Sequence, residues 1–233
     1  MKILFACDLD NTLIHSYKHR RADDICVEIY DGREQSFISP RALDLIKKIS
    51  AQILFVPITT RSIAQYRRIF WTENFSPRYA VVANGAYLVN DGCVENFLRE
   101  IVNPYETELH AQLEAADKNL FTTARIVDES FLFLRCRDDL DADKISFDTS
   151  LTVQHTGKKI YLFPPELDKG AALKRLTKKF SPDKIICAGD SEIDLPMLEL
   201  ADIAFAHKNL RGEKFIEFDS AEDFLEIIYS DLL

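Results

Sequence analysis

The chain reads as an α/β protein built on a mainly parallel sheet. Short apolar runs alternate with amphipathic helical segments along most of its length. Acidic or hydroxyl side chains stand just beyond several of these runs, where open parallel sheets bind ligands. Between about residues 85 and 160 the alternation gives way to hairpins, which marks an insertion.

Residues 2–7 predict the first strand. Residues 15–38 predict a hairpin, with 26–30 and 33–38 flanking an Asp31-Gly32 turn. It would lie as a flap just after the first strand, preceded by the basic loop of His15, His19, Arg20 and Arg21. Ser39 as N-cap and Pro40 at the first helical position start a helix over 40–49. A strand over 53–58 follows, then a helix over 62–71 with Ser62 and Gln65 as a capping box. Residues 79–83 predict a strand, and 86–97 a hairpin around Asn90-Asp91-Gly92.

The inserted stretch predicts a helix over 104–118, paired strands over 122–127 and 130–136, and a short helix over 139–147. A second hairpin, 151–155 with 158–163, turns through Thr156-Gly157. Alternation then resumes with a helix at 170–180, a strand at 184–188, a helix at 192–200, a strand at 202–206 and a helix at 220–231 capped by Ser220. No internal repeat or low-complexity stretch interrupts it.

At 233 residues the chain can bury a substantial core, as one domain or two modest ones. Hydrophobic residues make up 47% and charged residues 29%, a globular composition. The net charge of −9 argues against nucleic acid and against anionic membrane surfaces. An anionic ligand must therefore be drawn by local Lys, Arg or metal. The apolar stretch after Lys2 meets Asp8 too soon for a signal peptide, and no run approaches a membrane span. Cys7, Cys26, Cys93, Cys136 and Cys187 form no C-x-x-C pair and no metal-ligand spacing, which predicts a reducing cytoplasm. The Cys7 side chain is expected to point away from that of Asp8.

Four segments carry the chemistry. The apolar run Ile3–Ala6 leads into Asp8-Leu9-Asp10-Asn11-Thr12-Leu13. Two carboxylates one residue apart beyond a buried strand are costly unless a cation and an anionic substrate share the site. Phe55-Val56-Pro57-Ile58-Thr59-Thr60-Arg61 is a second strand that runs into hydroxyls. Leu167-Asp168-Lys169-Gly170-Ala171-Ala172-Leu173 opens a helix with a Lys at its N-terminus. That placement opposes the helix dipole and suits a site rich in carboxylate or phosphate. Ile185-Ile186-Cys187-Ala188-Gly189-Asp190-Ser191-Glu192-Ile193-Asp194 is a strand, a glycine turn and two acids four apart.

In this order the four segments resemble the motifs of the haloacid-dehalogenase superfamily, whose phosphatases open with D-x-D-x-T. The order helix-strand-strand-helix-strand-strand between the second and third motifs is similar to that superfamily's C2B cap. Cof-type sugar phosphatases, sucrose-phosphate phosphatases and eukaryotic phosphomannomutases share that cap. The resemblance covers nearly the whole chain. It implies a Rossmann-like parallel core with helices on both faces, residues 1–97 and 160–233, and a smaller α+β cap, residues 98–159.

It further implies a Mg²⁺-dependent phosphatase for a small phosphorylated metabolite such as a sugar phosphate, working through a phospho-aspartate. Asp8 matches the nucleophile, Asp10 the acid and base, Thr59 the phosphoryl ligand and Lys169 the catalytic lysine. Asp8, Asp190, Asp194 and the Asp10 carbonyl match the metal site. Thr60, Arg61 and the Asn84-Gly85 pair fall where substrate contacts are expected.

The chain departs from the family pattern twice. Thr60 stands where Gly is common in T-G-R, and Ile193 replaces the Asn of G-D-S-x-N-D. The Ile193 departure predicts weaker metal binding, unless Ile193 packs in a rearranged site. A phosphomutase and a degenerate binding protein are the competing readings. The sequence leaves the oligomeric state open. Among cap residues, Arg125, Arg135, Arg137, His155, Lys158 and Lys159 are candidates for a second anionic group, and strand alternation turns about half of them inward.

Overall fold

A computed structural model describes residues 1–72, 75–210, 212 and 214–232. Among these residues the strands fall, in chain order, at β1 Ile3–Cys7, β2 His15–Ser16, β3 Ile25–Tyr30, β4 Arg33–Ile38 and β5 Leu54–Pro57. They continue with β6 Tyr79–Val82, β7 Tyr87–Asn90, β8 Cys93–Asn96, β9 Phe121–Val127 and β10 Phe131–Cys136. β11 Thr152–Thr156, β12 Lys159–Phe163, β13 Lys184–Gly189, β14 Ile203–His207 and β15 Ile216–Phe218 complete them. The helices are α1 Pro40–Ser50, α2 Ile63–Arg67, α3 Arg99–Val102, α4 Glu106–Ala115, α5 Lys169–Phe180, α6 Leu195–Leu198 and α7 Ala221–Asp231.

The central sheet is parallel, with strand order β15-β14-β13-β1-β5. β1 lies between β13 and β5, so the chain moves outward on one side and returns on the other. That reversal opens a crevice at the carboxyl ends of β1 and β13, the usual ligand position in such sheets. Side chains of β1 alternate between two cores. Leu4 and Ala6 join one with Leu173, Leu176 and Met197 from α5 and α6. Ile3, Phe5 and Cys7 join the other with Leu45, Ile46, Phe224 and Ile228 from α1 and α7. Helices therefore cover both faces, as the apolar runs predict for a parallel sheet.

The helix starts follow their capping residues. Ser39 accepts from the Ala42 N–H at 3.1 Å, and Ser62 and Gln65 close a reciprocal box on α2. Such caps are worth about 1 kcal/mol each. The α2 helix is shorter than the expected 62–71 and ends at Arg67. Its last residues turn so that Phe70 N donates to the Val27 carbonyl, docking the flap hairpin of β3 and β4.

The strand expected at 79–83 does not extend the parallel sheet by a full ladder. It forms an antiparallel sheet with β7 and β8 and meets the central sheet through a single bridge, Ile58 to Val81. The insertion is a four-stranded sheet in the order β11-β12-β10-β9. The helix expected over 139–147 is a single 3₁₀ turn, Ala142–Lys144. Five acids from Asp138 to Asp148 leave only Ala142, Ile145 and Phe147 packed against the core, too few apolar contacts to hold a longer helix. The expected boundary at 159/160 passes through β12, whose pairing with β10 and β11 keeps it in the inserted sheet. The short strands β2 and β15 were not anticipated; at two and three residues they carry no period-2 signal.

Candidate active site

Parallel pairing brings the four motifs to one edge. Asp8 follows β1, Thr59 lies beyond β5, Asp190 follows β13, and Lys169 begins α5. The Asp8 N–H donates to the Ala188 carbonyl at 2.9 Å, so the first and fourth motifs are tied through backbone.

Lys169 is the centre of the charge arrangement. Its side chain is 2% exposed, and its Nζ lies 2.5 Å from an oxygen of Asp8 and 2.5 Å from an oxygen of Asp194. Burial works against the ammonium, but Asp194 and Asp8 more than offset it, and its pKa rises above the ordinary lysine range. The second Asp194 oxygen accepts from Asp190 N, Ser191 N and Ser191 Oγ, each at 3.0 Å. Both Asp194 oxygens are thus engaged by the protein. This suits Asp194 to orient Lys169 and the motif-four loop.

Close packing explains the glycines beside these residues. A Cβ at Gly189 would fall 2.4 Å from the Asp194 Cβ, and one at Gly170 would fall 2.5 Å from the Pro196 carbonyl oxygen. Glycine is required at both places for steric reasons.

Asp8, Asp190 and Asp194 bring one carboxylate oxygen each to within 4.8 Å of one another. Three carboxylates against one ammonium leave two uncompensated negative charges in a buried pocket. Burial raises the Asp8 pKa, Lys169 only partly opposes it, and Asp194 and Asp190 add to the rise. Asp190 is pushed up to about 6, by burial first and by Asp194 second. The Thr12 hydroxyl donates to Asp190 at 3.3 Å. An all-oxygen donor set with unneutralised charge fits a hard divalent cation.

Asp10 is held differently. Arg61 grips it from two nitrogens at 2.7 Å each. Burial opposes its charge, but the Arg61 guanidinium and its hydrogen bonds win, and the carboxyl sits below its ordinary pKa. Arg61 also donates to Glu28 Oε2 at 2.9 Å, to Ser36 Oγ at 3.1 Å and to the Gln65 carbonyl at 3.4 Å. All five of its N–H groups are engaged. The structure therefore places Arg61 behind Asp10, where the sequence expected a substrate contact.

Thr59 is buried and its Oγ accepts from Arg61 N at 3.2 Å, leaving its own proton for a ligand. Thr60 lines the cleft beside the inserted sheet. Asn84 donates from Nδ2 to the Leu167 carbonyl at 2.9 Å, and its N–H donates to the Thr59 carbonyl at 3.0 Å. It thus links the second motif to the third, in a left-handed conformation of φ 55°. Cys7 joins the apolar core, and burial pushes its thiol pKa up, so it is no second nucleophile.

Glu28 and Tyr161 were missed by sequence reasoning. Glu28 is 1% exposed, pairs with Arg61 and Arg68, and accepts from the Ser36 hydroxyl at 2.6 Å. A glutamate in the middle of a strand with apolar neighbours was the available signal. Tyr161 reaches the site from β12, close enough to interact with Thr60, and nothing local in sequence marks it.

The model for haloacid dehalogenase-like hydrolases matches residues 99–213, a stretch that holds Lys169, Asp190 and Asp194. That stretch, just under half of the chain, is similar to this family. A phosphoglycolate phosphatase from Methanoculleus marisnigri is 40% identical over 81 residues, 33% of this chain and 35% of that protein. The match thus spans about a third of that relative's length. Two solved structures are similar in fold. A haloacid dehalogenase-like hydrolase from B. subtilis has a TM-score of 0.66 at 18% identity, covering 100% of both chains. The sucrose-phosphatase from Synechocystis, in complex with sucrose and phosphate, has a TM-score of 0.67 at 14% identity, covering 98% of this chain and 97% of that one.

Ile193 stands where the family pattern has Asn. It is 5% exposed and belongs to the core cluster of Met197, Leu198 and Leu173. That placement favours packing over a lost polar contact. Ile193→Asn is expected to lower stability by about 2–3 kcal/mol, because an amide would be buried among apolar side chains. It is expected to leave the Mg²⁺ concentration for half-maximal activity unchanged or higher. Urea unfolding and a Mg²⁺ titration check this, and tighter Mg²⁺ dependence in the variant would refute it.

Proposed function

We propose that the protein hydrolyses the phosphate monoester of a small metabolite, with Asp8 as nucleophile. The observation that carries this reading is the buried Lys169 bridging Asp8 and Asp194, with Asp190 beside them at the carboxyl edge of the sheet. The names of the curated relative and of the sucrose-phosphatase point to the same reaction class.

In this reading Asp8 attacks phosphorus in line and the ester oxygen departs with a proton. A phospho-aspartate forms, which water then cleaves to release phosphate and restore Asp8. Lys169 neutralises Asp8 and one phosphoryl oxygen. Thr59 donates its free hydroxyl proton to another. Asp10 carries the protons. Held ionised by Arg61, it is ready to accept one from the attacking water in the second step. To protonate the leaving oxygen in the first, its grip by Arg61 must loosen.

Asp8 and Asp190 would hold Mg²⁺, with the Asp10 carbonyl as a third ligand. The cation supplies Lewis-acid charge for the phosphoryl oxygens. Residues 98–163, with β12 included, serve as the cap over this edge.

Purified protein with Mg²⁺ is expected to release phosphate from p-nitrophenyl phosphate, and EDTA to abolish it. Stability offers an independent readout. The Asp190 pKa of about 6 lies above the unfolded value of about 3.9. Its contribution to stability is present below the unfolded value and is lost as pH rises through 6. Melts in EDTA are therefore expected to lose Tm between about pH 4 and 7, and Mg²⁺ to restore it near pH 7. Full turnover after exhaustive chelation would overturn the metal assignment.

A further inference from the structure

The inserted sheet turns one face to the catalytic edge, and its register fixes what that face carries. Arg135 pairs with Lys159 on one side and Thr123 on the other. Phe133 pairs with Tyr161 and with Arg125. Directly paired residues project from the same side of a sheet. The face therefore holds Arg125, Arg135 and Lys159 around an aromatic strip of Phe133 and Tyr161. Leu132, Leu134, Ile160 and Leu162 alternate with them and are fully buried on the other side. The charged face, Asp10 and Thr60 line one cleft of about 760 Å³, a usual volume for a small-molecule site.

The charges in this cleft do not cancel. Its two carboxylates are already spoken for, Asp10 by Arg61 and Glu28 by Arg61 and Arg68. Among the described residues no carboxylate lies within ion-pair distance of Arg125 or Lys159. The partner of Arg135 is Asp138, 3.7 Å away and 89% exposed. In a protein of net charge −9, three under-compensated cations facing the catalytic edge need a reason. The other basic residues of the insertion are committed elsewhere. Arg137 pairs with Asp139, Lys158 donates to the Leu140 carbonyl, and His155 faces Asp143.

We propose that Arg125, Arg135 and Lys159 form a subsite for a second anionic group of the substrate, a carboxylate or a second phosphate. This rests on the phosphatase reading, which places the first phosphate at Asp8. The strip of Phe133 and Tyr161 lies under the carbon skeleton between the two anions. Lys159 lines the same cleft as Asp10 and Thr60, so the subsite adjoins the leaving-group side.

Two matched pairs of compounds test this, with Mg²⁺ present. 3-Phosphoglycerate against glycerol 3-phosphate isolates a carboxylate. Glucose 1,6-bisphosphate against glucose 6-phosphate isolates a second phosphate. Calorimetry is expected to show at least tenfold tighter binding of the doubly anionic member in one pair, which identifies the anion. The double variant R135Q/K159M is expected to bring that ratio below threefold, and Arg137→Gln to leave it intact. A preference under tenfold in both pairs, or one that survives R135Q/K159M at threefold or more, overturns the subsite. Phosphate release separates the two readings. A binding preference without release from any compound, p-nitrophenyl phosphate included, keeps the subsite and removes the phosphatase reading. Release without any binding preference does the reverse.

Discussion

Asp8→Asn is expected to lower phosphate release by at least about 10⁴-fold while the protein stays folded, as loss of a covalent nucleophile does. The substitution is nearly isosteric and keeps the side chain in place. Lys169 retains its pair with Asp194 at 2.5 Å. The amide cannot attack phosphorus at a useful rate, so no other side chain of the site replaces it; the Cys7 thiol lies in the apolar core with its pKa raised. The variant also removes one of the three crowded carboxylates. In EDTA its melting temperature is expected to equal or exceed that of the parent at pH 7, and the gain from Mg²⁺ to shrink. Steady-state kinetics and paired melts measure both effects. Activity within tenfold of the parent would show that Asp8 is not the nucleophile.

Lys169→Met carries the largest expected effect on stability. Removing one partner of a buried ion pair leaves the others uncompensated, at a cost of about 3–5 kcal/mol. Here Asp8 and Asp194 lose the same cation, and Lys169 is almost fully buried, so solvent does little to screen them. Met fills similar volume, so the loss is electrostatic rather than a cavity. The sign with pH follows from linkage. Without the ammonium, the Asp8 carboxyl pKa rises further above its unfolded value. The folded state then takes up protons as pH falls, and the deficit relative to the parent is expected to shrink from pH 7 towards pH 5. Urea midpoints at the two pH values check this. Phosphate release is expected to fall by orders of magnitude as well. An unchanged midpoint at pH 7 would mean that the Lys169 pairs do not hold the site together.

The two variants probe the part of the site most legible in the sequence. Asp8, Lys169, Asp190 and Asp194 each sit one or two residues from the end of an apolar run or the start of a helix. Local rules place such residues, because strand ends and helix N-termini fix where a side chain emerges. Parallel order then brings the strand ends together. The flap hairpin was legible for the same reason, since Asp31-Gly32 dictates its turn.

The sequence places Arg61 at the site but does not show which groups its donors meet there. Its sequence position beyond β5 says that it reaches the edge. Whether its donors meet a substrate or the protein depends on Glu28 and Ser36, strands away in the flap. Ile193 was read through a motif as a missing polar group, whereas its surroundings make it a core residue. The 3₁₀ turn at Ala142–Lys144 differs from the expected helix because a short, acid-rich segment with few apolar contacts does not hold a helix.

The sequence by itself determined the alternating α/β order, the four motif positions and the acids that gather at the strand ends. These depend on interactions within a few residues, namely period, capping and turn chemistry. The tertiary structure alone decided which residues touch: that Arg61 clamps Asp10, that Asp194 is filled by Lys169 and its own loop, and that Arg125, Arg135 and Lys159 share one face of the inserted sheet. Register sets the last of these. A one-residue slip between β10 and β12 would turn Lys159 to the opposite face, and register is fixed by buried partners that lie far apart in the chain.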